Sequence, residues 1–99
     1  MVLVLAILGV LQLLQFNFIK MKKSEFYLNF IEFLEIKSID SVNSNTVYKE
    51  LEEYDSFFVL SIIALVDNLF SINLSSKQLI EIETIGELMD LIGKENFDN

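Results

Sequence analysis

The sequence predicts an all-α fold, a small four-helix bundle with three longer helices and one short one. Three observations carry that expectation. The 99 residues contain no proline and only three glycines, so little interrupts a helical run. Apolar residues recur at helical spacing in two long stretches, near residues 24–36 and 55–70. Two capping boxes, Ser75-Ser76-Lys77-Gln78 and Thr84-Ile85-Gly86-Glu87, announce two further helix starts. Hydrophobic residues make up 53% of the chain, enough for a core in one small domain.

The first helix is expected over 24–36, with Ser24 as its cap. Phe26, Phe30, Phe33 and Leu34 share its apolar face, with Ile31 beside them, and Glu25, Asn29 and Glu32 share the polar one. Residues 37–54 lose the period, and serines and asparagines cluster at 41–45, so a long loop is expected, anchored by Val47, Tyr48 and Leu51. Asp55 caps a second helix that runs to Phe70. At 100° per residue, Val59, Ile62, Ile63, Val66 and Phe70 form its buried face. The opposite face holds Phe57, Ser61, Ala64, Leu65 and Asn68, more apolar than a solvated helix needs. A short third helix follows over 76–81. The last runs over 84–92 with Ile85, Leu88, Met89 and Ile92 on one face and Gly93 as its stop. The tail KENFDN is expected to fray.

Composition excludes several chemistries. Without cysteine or histidine the chain has no disulfide, no thiol nucleophile, no zinc site of the usual kind and no imidazole base. No calcium loop of the DxDxDG type is present. A self-contained enzyme is not expected, nor a metal site. Glu52, Glu53 and Asp55 cluster near Ser56 and read as docking charge, because no third group completes an active site. All 15 acidic residues lie from Glu25 onward, where only four lysines oppose them. That field repels nucleic acid and anionic lipid and favours basic partner surfaces.

Residues 1–20 form a separate apolar extension. Met1 to Ile19 carry no charge, and nineteen residues as a helix measure about 28 Å, close to a bilayer core. One reading is a membrane anchor, with Lys20, Lys22 and Lys23 holding the domain on the cytoplasmic side. A cleaved signal peptide fits less well, lacking a basic region before the run and a small-x-small site after it. A third reading takes Met21-Lys22-Lys23 as the true start and 21–99 as the whole domain. The extension is expected to be dispensable for function and the protein cytoplasmic, with the anchor as the alternative.

The chemistry-bearing segment is Tyr54-Asp55-Ser56-Phe57. An apolar helix follows it at once, then Phe70, a turn, Leu74, the short capped helix, Ile82, and Thr84-Ile85 opening the last helix. This layout, over roughly residues 24–93, resembles the Asp-Ser-Leu region of acyl and peptidyl carrier proteins, in particular stand-alone carriers with a YDS or FDS motif. A second Asp-Ser pair, Asp40-Ser41, is followed by Asn43, Ser44 and Asn45, and no helix starts there.

The resemblance implies an acyl-carrier-like bundle and a 4'-phosphopantetheine arm on Ser56, moved there from coenzyme A by a phosphopantetheinyl transferase. Asp55 would support the transfer by helping to position the metal and substrate. Partners would dock on Phe57, Leu60, Ser61, Ala64, Asp67 and Asn68. They would include an acyl- or aminoacyl-loading enzyme and an acceptor transferase. The carrier itself would be a monomer and no enzyme. The residues agree on one physical point: a helix N-terminus carries about half a positive charge, which favours an attached phosphate.

The chain departs from the fatty-acid carriers in three ways. Where those carriers read Gly-x-Asp-Ser-Leu it has Glu53 and Tyr54 before the Asp-Ser pair and no glycine, it has Phe57 for leucine, and it has Ser61 and Asn68 where acids are common. These departures favour a dedicated partner in a specialised lipid or secondary-metabolite pathway. Phe57 and Phe58 read equally as core or cargo-lining residues. The alternative function is a helical protein-interaction module without the arm, in which Asp55 and Ser56 only cap a helix.

Overall fold

The computed structural model describes residues 20–98. Strand β1 (Met21–Lys22) leads directly into helix α1 (Lys23–Phe33). A long connection follows, carrying one 3-10 turn (Tyr48–Glu50). Then come α2 (Ser56–Phe70), the short α3 (Ser76–Glu81) and α4 (Ile85–Ile92). A second 3-10 turn (Lys94–Asn96) ends in β2 (Phe97–Asp98). The described residues thus form a small helical bundle of three longer helices and one short one. No helix among them is long and apolar enough to cross a membrane. The expectations for residues 1–19 lie outside the described residues.

Two expectations about the ends are corrected. The tail does not fray up to Asp98: β2 pairs in parallel with β1, Met21 against Phe97 and Lys22 against Asp98. Phe97 is the reason. Its buried ring meets Phe26 at 5.3 Å and Phe70 at 5.2 Å between centroids, so apolar burial holds the tail that propensity alone would release. The pairing also adds a two-stranded sheet to a fold expected to be all helix. Because β1 holds Lys22 extended, the helix starts at Lys23, and Ser24 lies inside its first turn rather than capping it.

Helix α1 also stops earlier than residue 36. Glu35 takes the left-handed conformation at φ 52°. The N–H of Glu35 then reaches the Glu32 carbonyl at 3.3 Å, and that of Ile36 reaches the Ile31 carbonyl at 3.0 Å. These two bonds close a Schellman motif, and Ile36 supplies its buried apolar residue. Phe33, the last residue of α1, is 44% exposed instead of buried, while Leu34 and Ile36 just after it are buried.

The core collects Phe26, Phe30, Tyr48, Phe58, Ile62, Leu65, Val66, Leu79, Ile85 and Leu88 from all four helices and the long connection. Each buried Phe or Leu contributes about 1.5–3 kcal/mol over an exposed one. On α2, Val59, Ile62 and Val66 are buried as the period predicts. Ile63 and Phe70 are only half-buried, and Leu65, assigned to the opposite face, is buried. The buried stripe is centred nearer Ile62 and Leu65 because the long connection and α1 approach α2 from that side, with Phe30 meeting Phe58 at 6.1 Å and Tyr48 stacking on Phe58.

The long connection is not loose. Tyr48 N–H bonds the Glu83 carbonyl at 3.1 Å, Ile85 N–H the Thr46 carbonyl at 3.0 Å, and Gly86 N–H the Ser44 carbonyl at 2.8 Å. Val47 and Thr84 form an antiparallel bridge. A turn at 43–46 is closed by its own side chains: Asn43 Oδ1 accepts from Asn45 N–H and Thr46 Oγ1 from Asn43 N–H. Tyr48 is the anchor. Its ring is fully buried, and its hydroxyl donates to the Leu79 carbonyl and, at 3.3 Å, to the Ile82 carbonyl, joining the connection to the end of α3. The two capping boxes form as expected at Ser75/Gln78 and Thr84/Glu87.

Candidate functional site

Asp55 and Ser56 form the corner where the long connection becomes α2. Asp55 is the N-cap, in extended conformation, and its Oδ1 accepts from Phe58 N–H at 2.7 Å. Ser56 is the first helical residue and is exposed. Its position follows from the cap: a carboxylate at the N-cap must turn inward to the third amide, which leaves the next side chain outside the helix end. A nucleophilic hydroxyl there is open to an approaching enzyme and lies at the positive end of the helix dipole.

Three neighbours fix this corner. Tyr54 is half-buried, its ring 6.0 Å from Tyr48 and 5.8 Å from Phe58, so the residue before Asp55 is packed rather than free. Phe58 is buried in the core and Phe57 is 74% exposed, which separates two residues the sequence left level. Glu53 is the third. Its carboxylate accepts from Lys37 N–H and Ser38 N–H, each at 3.0 Å, and from the Ser38 hydroxyl at 2.6 Å. These bonds hold its pKa down to about 2, the Ser38 hydroxyl contributing most. Glu53 is therefore a staple between the start and the end of the long connection. No sequence signal marked this pairing, since the partners lie fifteen or more positions apart and neither sits in a motif.

The expected docking residues lie on one side of α2. Phe57, Leu60, Ala64, Asp67 and Asn68 are all exposed, Leu60 at 58%. Ser61 is half-buried, and its hydroxyl donates to the Phe57 carbonyl at 3.0 Å, which occupies it within the helix. Leu65 leaves this face for the core. The stripe is thus led by two large apolar side chains next to Ser56, with one charge, Asp67, further along. Among the described residues no group of three or more His, Cys, Asp or Glu side chains is placed to hold a metal ion.

Comparison of the chain with protein-family models, with curated proteins and with solved structures finds no significant match.

Proposed function

We propose that the protein is an acyl carrier, presenting an acyl or aminoacyl group as a thioester on a 4'-phosphopantetheine arm attached to Ser56. The observation that carries this reading is the pairing of an exposed serine at the first position of α2 with an apolar stripe beside it. The hydroxyl offers the attachment point, and Phe57, Leu60 and Ala64 offer a surface for the enzymes that attach, load and unload the arm. The Ser56 oxygen attacks the pyrophosphate of coenzyme A, forming a phosphodiester and releasing adenosine 3',5'-bisphosphate. The hydroxyl proton goes to a base on the transferase. Asp55 is already oriented by Phe58 N–H, and its second carboxylate oxygen is the one that would assist the transfer. The chain itself supplies no thiol, so the cargo-bearing sulfur must come from the arm.

The test is intact mass after incubation with coenzyme A and a broad-specificity phosphopantetheinyl transferase, beside a Ser56→Ala control. A gain of one phosphopantetheine, absent from the control, supports the carrier. No gain with several transferases on folded protein leaves the exposed Phe57–Leu60–Ala64 stripe as the main feature and makes the chain a helical interaction module.

A further inference from the structure

We infer that the cargo of Ser56 is a short acyl or aminoacyl group held outside the bundle, because an aromatic cluster closes the core at the Ser56 end. The inference rests on the carrier reading and names the class of cargo within it. A long alkyl chain on an arm at Ser56 would need cover from water, and the need grows with each methylene. The nearest cover is the interior beneath the start of α2.

That interior is filled. Phe58, two residues after Ser56, is buried, and three rings stand around it. Phe30 approaches from α1 at 6.1 Å between centroids, Tyr54 at 5.8 Å, and Tyr48 stacks on it at 6.4 Å, 13° from parallel. Tyr48 and Tyr54 close the circle at 6.0 Å. Rings at these separations are in contact. A methylene chain needs carbon neighbours at about 3.5–4 Å on every side, so it cannot pass between these rings without parting them.

The rings are also fastened. The Tyr48 hydroxyl donates to the Leu79 and Ile82 carbonyls, which ties the cluster to the end of α3. Moving that ring aside would take this donor from a buried carbonyl. Tyr54 follows Glu53, whose carboxylate holds Lys37 N–H and Ser38 N–H at 3.0 Å. A methionine in such a place could change rotamer to admit a chain, but a ring bonded at its far end to another element cannot.

The open groove between α1 and α4 is no substitute. Its thirteen lining residues include Lys20, Lys23, Glu87, Asp90, Lys94 and Asp98, and its Phe97 packs on Phe70, at the opposite end of α2 from Ser56. A short acyl or aminoacyl group needs no such cover, since it stays hydrated beside the exposed serine.

For the test, the transferase is given acetyl-coenzyme A or octanoyl-coenzyme A, so that each acyl arm arrives whole on Ser56, and intact mass records the loading. Hydroxylamine then cleaves each thioester, on the protein and on free coenzyme A. The octanoyl protein is expected to be cleaved within about twofold of the rate for octanoyl-coenzyme A, as an unburied thioester is. Amide signals of Tyr48, Phe58 and Leu79 are expected to coincide in the acetyl and octanoyl forms. Cleavage slowed at least about tenfold, or core signals that shift between the two forms, overturns the cargo assignment and leaves the carrier standing. A mass that rises with neither donor, on folded protein, overturns the carrier reading and this assignment with it.

Discussion

Glu53 grips Ser38 twice, one carboxylate oxygen taking the backbone N–H at 3.0 Å and the other the hydroxyl at 2.6 Å. The pair closes the long connection on itself two residues before Asp55. Its consequence is acid sensitivity. The folded pKa of Glu53 is lowered from 4.5 to about 2, so its contribution is present above the unfolded value and lost as pH falls through the window between them. Glu53→Gln is expected to lower the melting temperature at pH 7 and to flatten the loss of stability between pH 4.5 and 2. Part of the acid slope should survive, because Glu87 is also held below the usual range by the Thr84 and Glu83 N–H groups. Thermal melts across that range check this.

Tyr48 tests the buried end of the connection. Tyr48→Phe keeps the ring against Phe58 and removes the hydroxyl that serves the Leu79 and Ile82 carbonyls. Leaving buried acceptors short of a donor costs about 1–3 kcal/mol, readable by urea denaturation. Burial also pushes the Tyr48 phenol above its usual 10.0. Wild-type stability should therefore fall as pH rises past 10, and the variant should lose that part of the slope.

Gly86 sets two effects against each other. Alanine would favour α4 by about 0.5–1 kcal/mol through helix propensity. Its Cβ, however, would meet the Ser44 carbonyl oxygen at 2.8 Å, the same atom that accepts from Gly86 N–H. Both the contact and the bond belong to backbone, which cannot swing aside as a side chain does. Overpacking of about 1–3 kcal/mol wins, and Gly86→Ala is expected to destabilise by about 1 kcal/mol, with weakened amide-exchange protection at 44–48.

Phe97 makes the tail a structural element. Phe97→Ala removes a buried ring shared by Phe26 and Phe70 and should cost about 3 kcal/mol, less than a central core deletion because the chain end can relax into the gap. A denaturation midpoint equal to wild type would show that β2 contributes nothing.

Asp55 can be separated into cap and charge. Asp55→Ala should cost about 1 kcal/mol by losing the bond to Phe58 N–H. Asp55→Asn caps equally well, so its stability should match wild type within about 0.5 kcal/mol. On the carrier reading, the Asn variant should nonetheless be modified at Ser56 at least about tenfold more slowly, a size ordinary for one group assisting a transfer step. Phe57→Ala should leave stability unchanged, since the ring is exposed, and weaken transfer through the docking step.

Much of the fold was legible because its signals are local. Asp55, Ser75 and Thr84 cap helices through partners three residues away, and that spacing is written in the chain. Gly93 marks its stop because φ 110° favours glycine. The end of α1 was missed for the complementary reason: Glu35 adopts a left-handed φ without being glycine, held there by the burial of Ile36.

The sequence by itself determined the helices, the order in which they come, and the exposed serine at the head of α2, since each depends on residues within one or two turns. Only the tertiary structure decided that the tail is a strand, that Leu65 is core and Phe57 surface, and that Glu53 is a staple. Each of these depends on which distant segment arrives alongside. A hydrogen bond between residues 38 and 53, or a ring contact between residues 26 and 97, leaves no periodic trace along the chain, because the energy that selects it exists only once the intervening helices have packed.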